Sequence, residues 1–98
     1  MPSCPSREMR RVEIARARRE TAIAAANVAR DTLLTRTANQ VAAMSLTAYA
    51  EGAASLANVL EAQRSTREVL AQYVDDVAAL WIAAARLRLL SLTVAGTP

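Results

Sequence analysis

YAEGAASLANVLEAQR, residues 49–64, decides the fold. From Glu8 to Tyr49 the chain has neither Gly nor Pro, and the same holds from Leu56 to Leu92, so the strongest helix breakers are missing on both sides. Between the two runs lies AEGAAS, in which Gly52 can take the left-handed conformation that ends a helix. Three residues later, the Ser55 hydroxyl can cap the next helix. The reading is therefore all-α: a long antiparallel two-helix hairpin, coiled-coil-like, with no β-strands. Its first helix is expected over 8–50, the turn over 51–55 and the second helix over 56–92. MPSCPSR, residues 1–7, reads as a disordered lead in which Ser6 caps the first helix, and 93–98 as a tail. At ~1.5 Å rise per residue each helix extends roughly 55 to 65 Å, a rod without depth for a globular core.

In the first helix, Ile23, Leu34, Val41, Met44 and Ala48 are expected to share one face, interrupted by Arg30 and Thr37. The second carries a more regular stripe: Leu56, Val59, Gln63, Thr66, Leu70, Tyr73, Val77, Leu80, Ala84 and Leu87 alternate spacings of three and four. A flanking row of Leu60, Val74 and Trp81, with Arg67 between, widens the apolar face beyond what one partner helix covers. Self-association follows as an expectation.

Composition narrows the function classes. The hydrophobic fraction is 53%, yet Phe is absent, Trp occurs once and Tyr twice, so alanine-rich contacts replace a bulky core. The net charge of +3 is concentrated early: eight arginines against four acids before Glu51, then four against five. That bias lacks the basic density and stacking aromatics of a nucleic-acid binder, and no nucleic-acid partner is expected. Much of the early Arg/Glu run is explained by pairs three and four residues apart.

Chemistry-bearing constellations are sparse. Cys4 is the single cysteine and His is absent, which leaves no intrachain disulfide and no multi-thiolate or imidazole metal site. No cofactor motif is present. Asp75 and Asp76 diverge by about 100° as helix neighbours and read as solvent-facing acids. The chain is not expected to be an enzyme. The longest uncharged stretch, 37–50, has 14 residues, short of the ~18 to 20 that span a bilayer as a helix. Nor does the opening resemble a secretory signal peptide.

The motif around the turn resembles the Y-x-x-G-x-x-S-L-x-x-V-L-x-A-Q-R signature of TolC-like outer-membrane efflux proteins. Tyr73, Trp81 and Leu87 also fall where that family's returning helix places aromatic and leucine residues. The resemblance covers 29–92 well and 7–28 only in general character. It implies a trimeric tunnel in which the hairpin forms periplasmic α-barrel wall, with the turn as its tip. Small molecules or metal ions would leave passively through an outer-membrane duct, in partnership with a periplasmic adaptor protein and, indirectly, an inner-membrane pump.

By the same resemblance Gly52 and Ala53 lie in the tip motif that adaptors contact. Asn58 and Glu61 fall where the family often places pore-lining acids, of which only Glu61 keeps the charge, and Tyr49 matches a tip aromatic. An arginine that helps lock the closed tip in some members is Ala54 here. Three copies of Glu61 around a narrow opening would favour cations; the plainer reading is that Glu61 pairs with Arg64, one turn on. The chain is much shorter than a whole family member and shows no barrel strands, so it is expected to be part of a longer protein. A free-standing helical self-association module is the competing class, and a small basic helical nucleic-acid binder a weaker third.

Overall fold

The computed structural model describes residues 3–95, with side chains described over 7–93. Two helices account for almost all of it: α1, Ser3–Ala50, and α2, Leu56–Ala95, joined by a short turn. The hairpin measures 76 × 17 × 13 Å, and its radius of gyration is 21.7 Å, where a compact chain of this length would have about 13 Å. It is the expected rod. α1 begins at Ser3, ahead of the expected Glu8, so Ser6 lies inside the helix rather than capping it. Pro5 falls in the first turn, where a missing N–H breaks no helical hydrogen bond and the fixed φ suits the helix. α2 continues to Ala95, beyond the expected Leu92. Of the expected lead and tail, residues 1–2 and 96–98 lie outside the described residues.

The line of contact differs from the expected one. On α1 the seam runs through Ile14, Ala17, Thr21, Ala24, Val28, Asp31, Thr35, Ala38, Ala42 and Ser45, an unbroken alternation of three and four, with Asn27 and Ala48 also half-buried. All but Ile14 and Val28 are small or polar. On α2 the matching series is Val59, Ala62, Thr66, Val69, Tyr73, Asp76, Leu80, Ala83, Leu87 and Leu90. Small residues on one helix thus face mostly larger ones on the other, which lets the backbones approach while the space between them is filled.

The stripe expected on α1 faces outward instead: Ile23, Leu34, Val41 and Met44 are all exposed, and only Ala48 of that set is half-buried. On α2 most of the expected stripe lies in the seam. Val59, Gln63, Thr66, Tyr73, Val77, Leu80 and Leu87 are covered, whereas Leu56, Leu70 and Ala84 are exposed. Burial of large apolar groups would favour the opposite choice if the hairpin were alone in water. Among the described residues only Ala17, Ala24 and Val59 form a fully buried hydrophobic core, while seventeen large apolar side chains are at least 45% exposed.

Polar contacts add register. The Thr66 hydroxyl is shared between its own helix, at the Ala62 carbonyl (2.9 Å), and the Ala38 carbonyl across the seam (3.3 Å). Farther from the turn, Arg86 pairs with Glu20 at 3.5 Å. Both of those side chains are largely solvated, so that pair adds at most about 1 kcal/mol. No described helix is long and apolar enough to cross a membrane.

The seam predicts that Ala24→Leu, which puts bulk where the helices meet, destabilises the hairpin by about 1 to 3 kcal/mol. Its exposed neighbour, changed as Ile23→Leu, should stay within about 0.5 kcal/mol. Denaturant midpoints at one fixed protein concentration check both.

Candidate functional site

The turn is built from residues whose backbone geometry needs them. Gly52 has φ +79°, the one positive φ among the described residues. It stands at the position after the helix cap in a Schellman arrangement: the Ala53 N–H donates to the Ala48 carbonyl (2.8 Å) and the Gly52 N–H to the Tyr49 carbonyl (3.0 Å). These bonds use carbonyls that the end of α1 would otherwise leave unpaired. On the other side, the Ser55 hydroxyl accepts from the Asn58 N–H at 3.2 Å, closing the first turn of α2. The result is a blunt end in which Gly52 and Ala53 are exposed and the chain reverses within five residues.

Just behind that end, both helices line a shallow apolar groove. Ala38, Val41, Met44 and Ala48 contribute from α1, Ala54 from the turn, and Asn58, Glu61 and Ala62 from α2. Asn58 and Glu61 are therefore brought to one face, one helical turn apart. Tyr49 does not line this groove; its ring stands 45% exposed at the end of α1. Arg64 turns to Glu68 at 3.5 Å rather than to Glu61, which leaves the Glu61 carboxylate without an ion pair among the described residues. Trp81 of the flanking row is 74% exposed, while Tyr73 sits half-buried in the seam.

A second polar site lies midway along the rod. Asp31 is 1% exposed, and its carboxyl interacts with that of Asp76 across the seam. Asp76 is therefore not the solvent-facing acid expected of it, although Asp75 is exposed. Around the pair, the Gln72 amide donates to Asp76 Oδ1 at 3.1 Å, and Arg30 Nε stands 3.7 Å from Asp31 Oδ1. The Oδ2 of each acid and the Thr35 hydroxyl, one turn on, are buried without a hydrogen-bond partner. The hydrogen bond with Asp76 raises the Asp31 carboxyl above the usual carboxylate range, with burial and the Asp76 charge acting the same way and Arg30 opposing. The same bond, with help from Gln72, holds Asp76 below it.

Sequence reasoning could have found this pair from two signals together. Asp31 falls in the row Ala17, Ala24, Ala38, Ser45, and Asp76 in the row Val69, Ala83, Leu90, each repeating every seven residues. The two acids also stand almost equally far from the turn. With the turn fixed, they had to meet.

Compared with protein-family models, curated proteins and solved structures, the chain has no match.

Two substitutions test the turn. Gly52→Ala meets open space at the new Cβ, so its effect isolates the backbone strain of a positive φ, about 1 to 2 kcal/mol of destabilisation. Ser55→Ala removes the cap and should lose about 1 kcal/mol. Thermal melting followed by circular dichroism reads both, and an unchanged Gly52→Ala variant would contradict the turn geometry.

Proposed function

We propose that the hairpin is one stave of a helical export duct of the TolC-like outer-membrane type, with residues 51–55 at its periplasmic tip. The observation that carries this reading is the pair of outward apolar rows flanking a seam already filled. Ile23 and Met44 on α1, and Leu60, Val74 and Trp81 on α2, are exposed on a molecule too thin to cover them. Large exposed apolar surface marks contact sites, and a stave needs a neighbour on each side. The motif of residues 49–64 supports the same reading.

In this arrangement the protein does no bond-making chemistry and needs no cofactor. Copies of the hairpin close a barrel, a trimer in the parent family, and the exposed Gly52 and Ala53 meet a periplasmic adaptor linked to an inner-membrane pump. Glu61, with no arginine to neutralise it, places negative potential on the groove face beside Asn58, and a ring of such groups draws cations towards a narrow opening. Tyr49, off the groove, belongs to contact between neighbouring hairpins rather than to the opening. The chain acts as part of a longer protein in the periplasm and outer membrane.

The exposed rows equally favour a second reading, a free-standing module that self-associates. Transplanting residues 49–64 into the corresponding tip of a TolC-like channel separates the two. In cells lacking their own channel, the chimera should restore resistance to a pump substrate, and Glu61→Gln should alter it. A chimera that reaches the outer membrane in normal amount yet restores nothing would leave the module reading, for which sedimentation should show concentration-dependent association that Trp81→Lys weakens.

A further inference from the structure

Two buried carboxylate oxygens without a hydrogen-bond partner lie in the middle of the rod, one on each helix, at opposed positions of the seam. Asp31 Oδ2 and Asp76 Oδ2 are both buried and unpaired with any other group, on helices held in register by the turn and by the Thr66 bridge. Arg30 reaches only towards Oδ1 of Asp31, at 3.7 Å, and Gln72 is committed to Oδ1 of Asp76. Thr35, whose buried hydroxyl has no partner, and the half-buried Asn27 stand one turn to either side of Asp31 on its own helix. Asp75, the other acid nearby, is exposed to solvent. Two ionised carboxylates in that position repel, and burial of Asp31 weakens the screening that water would give. A single proton resolves the conflict, because one carboxyl then donates and the other accepts a charge-assisted hydrogen bond.

We propose that Asp31 and Asp76 share one proton and form a clasp that holds the hairpin closed in mild acid and loosens it as pH rises. Asp31 is the proton donor and Asp76 the carboxylate acceptor, with Gln72 fixing the acceptor's orientation. The inference does not depend on the export reading, since the clasp lies within one chain.

The direction follows from linkage. Asp31 has its folded pKa raised, so its contribution is complete below the ordinary carboxylate value and drains away as pH climbs through the raised one. Asp76 has its folded pKa lowered, so its contribution is present above the ordinary value and is lost as pH falls through the lowered one. The clasp is closed between the two, and opens on the alkaline side when the second charge appears in the seam. The two groups titrate as a unit, in two linked steps.

Carboxyl ¹³C titration of the whole 98-residue chain tests this, and with only three aspartates the signals are few. Asp31 and Asp76 should respond together in two steps separated by more than about one pH unit, the upper step above the ordinary carboxylate range. The native chain should lose melting temperature as pH rises through that upper step. Asp31→Asn, which supplies a permanent donor, should abolish both the step and the loss. Asp76→Asn should likewise remove the upper step, and keeps the test open if the first variant fails to fold. Should both carboxyls titrate in one ordinary step, or the native and Asp31→Asn melting curves shift in parallel with pH, the clasp is refuted. Stabilisation of the native chain by Mg²⁺ or Ca²⁺ at alkaline pH, absent in Asp31→Asn, would overturn the shared proton in favour of a bound cation.

Discussion

Close approach of two backbones along a single line is the constraint on which this molecule rests. Ala17, Ala24, Ala38, Ala42 and Ser45 keep α1 slim on the contact side, and Val59, Val69, Tyr73, Leu80, Leu87 and Leu90 of α2 supply the bulk. A second helix has only one side to offer, so everything large that α1 carries must point elsewhere. The exposed rows of Ile23, Leu34, Val41 and Met44 are the direct consequence. A hairpin whose seam used those residues would hide more apolar surface in isolation and offer less to neighbours. The surface left over is thus a property of how the seam was filled.

The polar layer at Asp31 and Asp76 has a second consequence. A pair of acids is a poor source of stability when it replaces apolar packing, but it penalises alternatives. Displacing α2 by one heptad would bring Asp31 opposite Val69 or Ala83, and Asp76 opposite Ala24 or Ala38, leaving each acid buried against groups that cannot share a proton. The turn sets the register at one end of the rod, where the Schellman bonds and the Ser55 cap leave little freedom. The acid pair restates it more than twenty residues away, where a small error in helix direction would otherwise grow. Asn or Lys at seam positions of coiled coils acts in the same sense.

The reversal was legible because Gly52 and Ser55 are local signals: a positive φ and a hydroxyl cap depend on immediate neighbours. The all-α hairpin followed from them. The contact line was not legible from hydrophobicity, because large apolar residues normally mark a buried face and here they mark the outer one. The rule that failed was burial of the largest side chains, and what overrode it was close packing through small ones. The exposed tip positions Gly52, Ala53, Asn58 and Glu61 sit where the turn puts them, whereas the Asp31–Asp76 site escaped because Asp76 was weighed against its sequence neighbour Asp75. Its relevant neighbour is forty-five positions away in number and opposite in space.

Support along the rod is uneven, and the register shows where it ends. Glu20 meets Arg86, so counting outward in antiparallel register brings Ala95 level with about residue 11 of α1. Residues 7–13 are all exposed, and the first covered residue among the described side chains is Ile14. Residues 7–10 of α1 therefore lie beyond the level of Ala95, and no side chain of 7–13 is covered by α2. An isolated helical segment that short is marginal in water, because the cost of nucleation is spread over few hydrogen bonds. It persists here as the continuation of a helix nucleated farther in, with Glu8, Glu13 and the surrounding arginines at spacings that add a few tenths of a kcal/mol per pair. Any partner that covers Met9 and Val12, both exposed on this overhang, would supply there the packing that α2 supplies elsewhere. The far end of the rod, like its flanks, keeps large apolar side chains exposed.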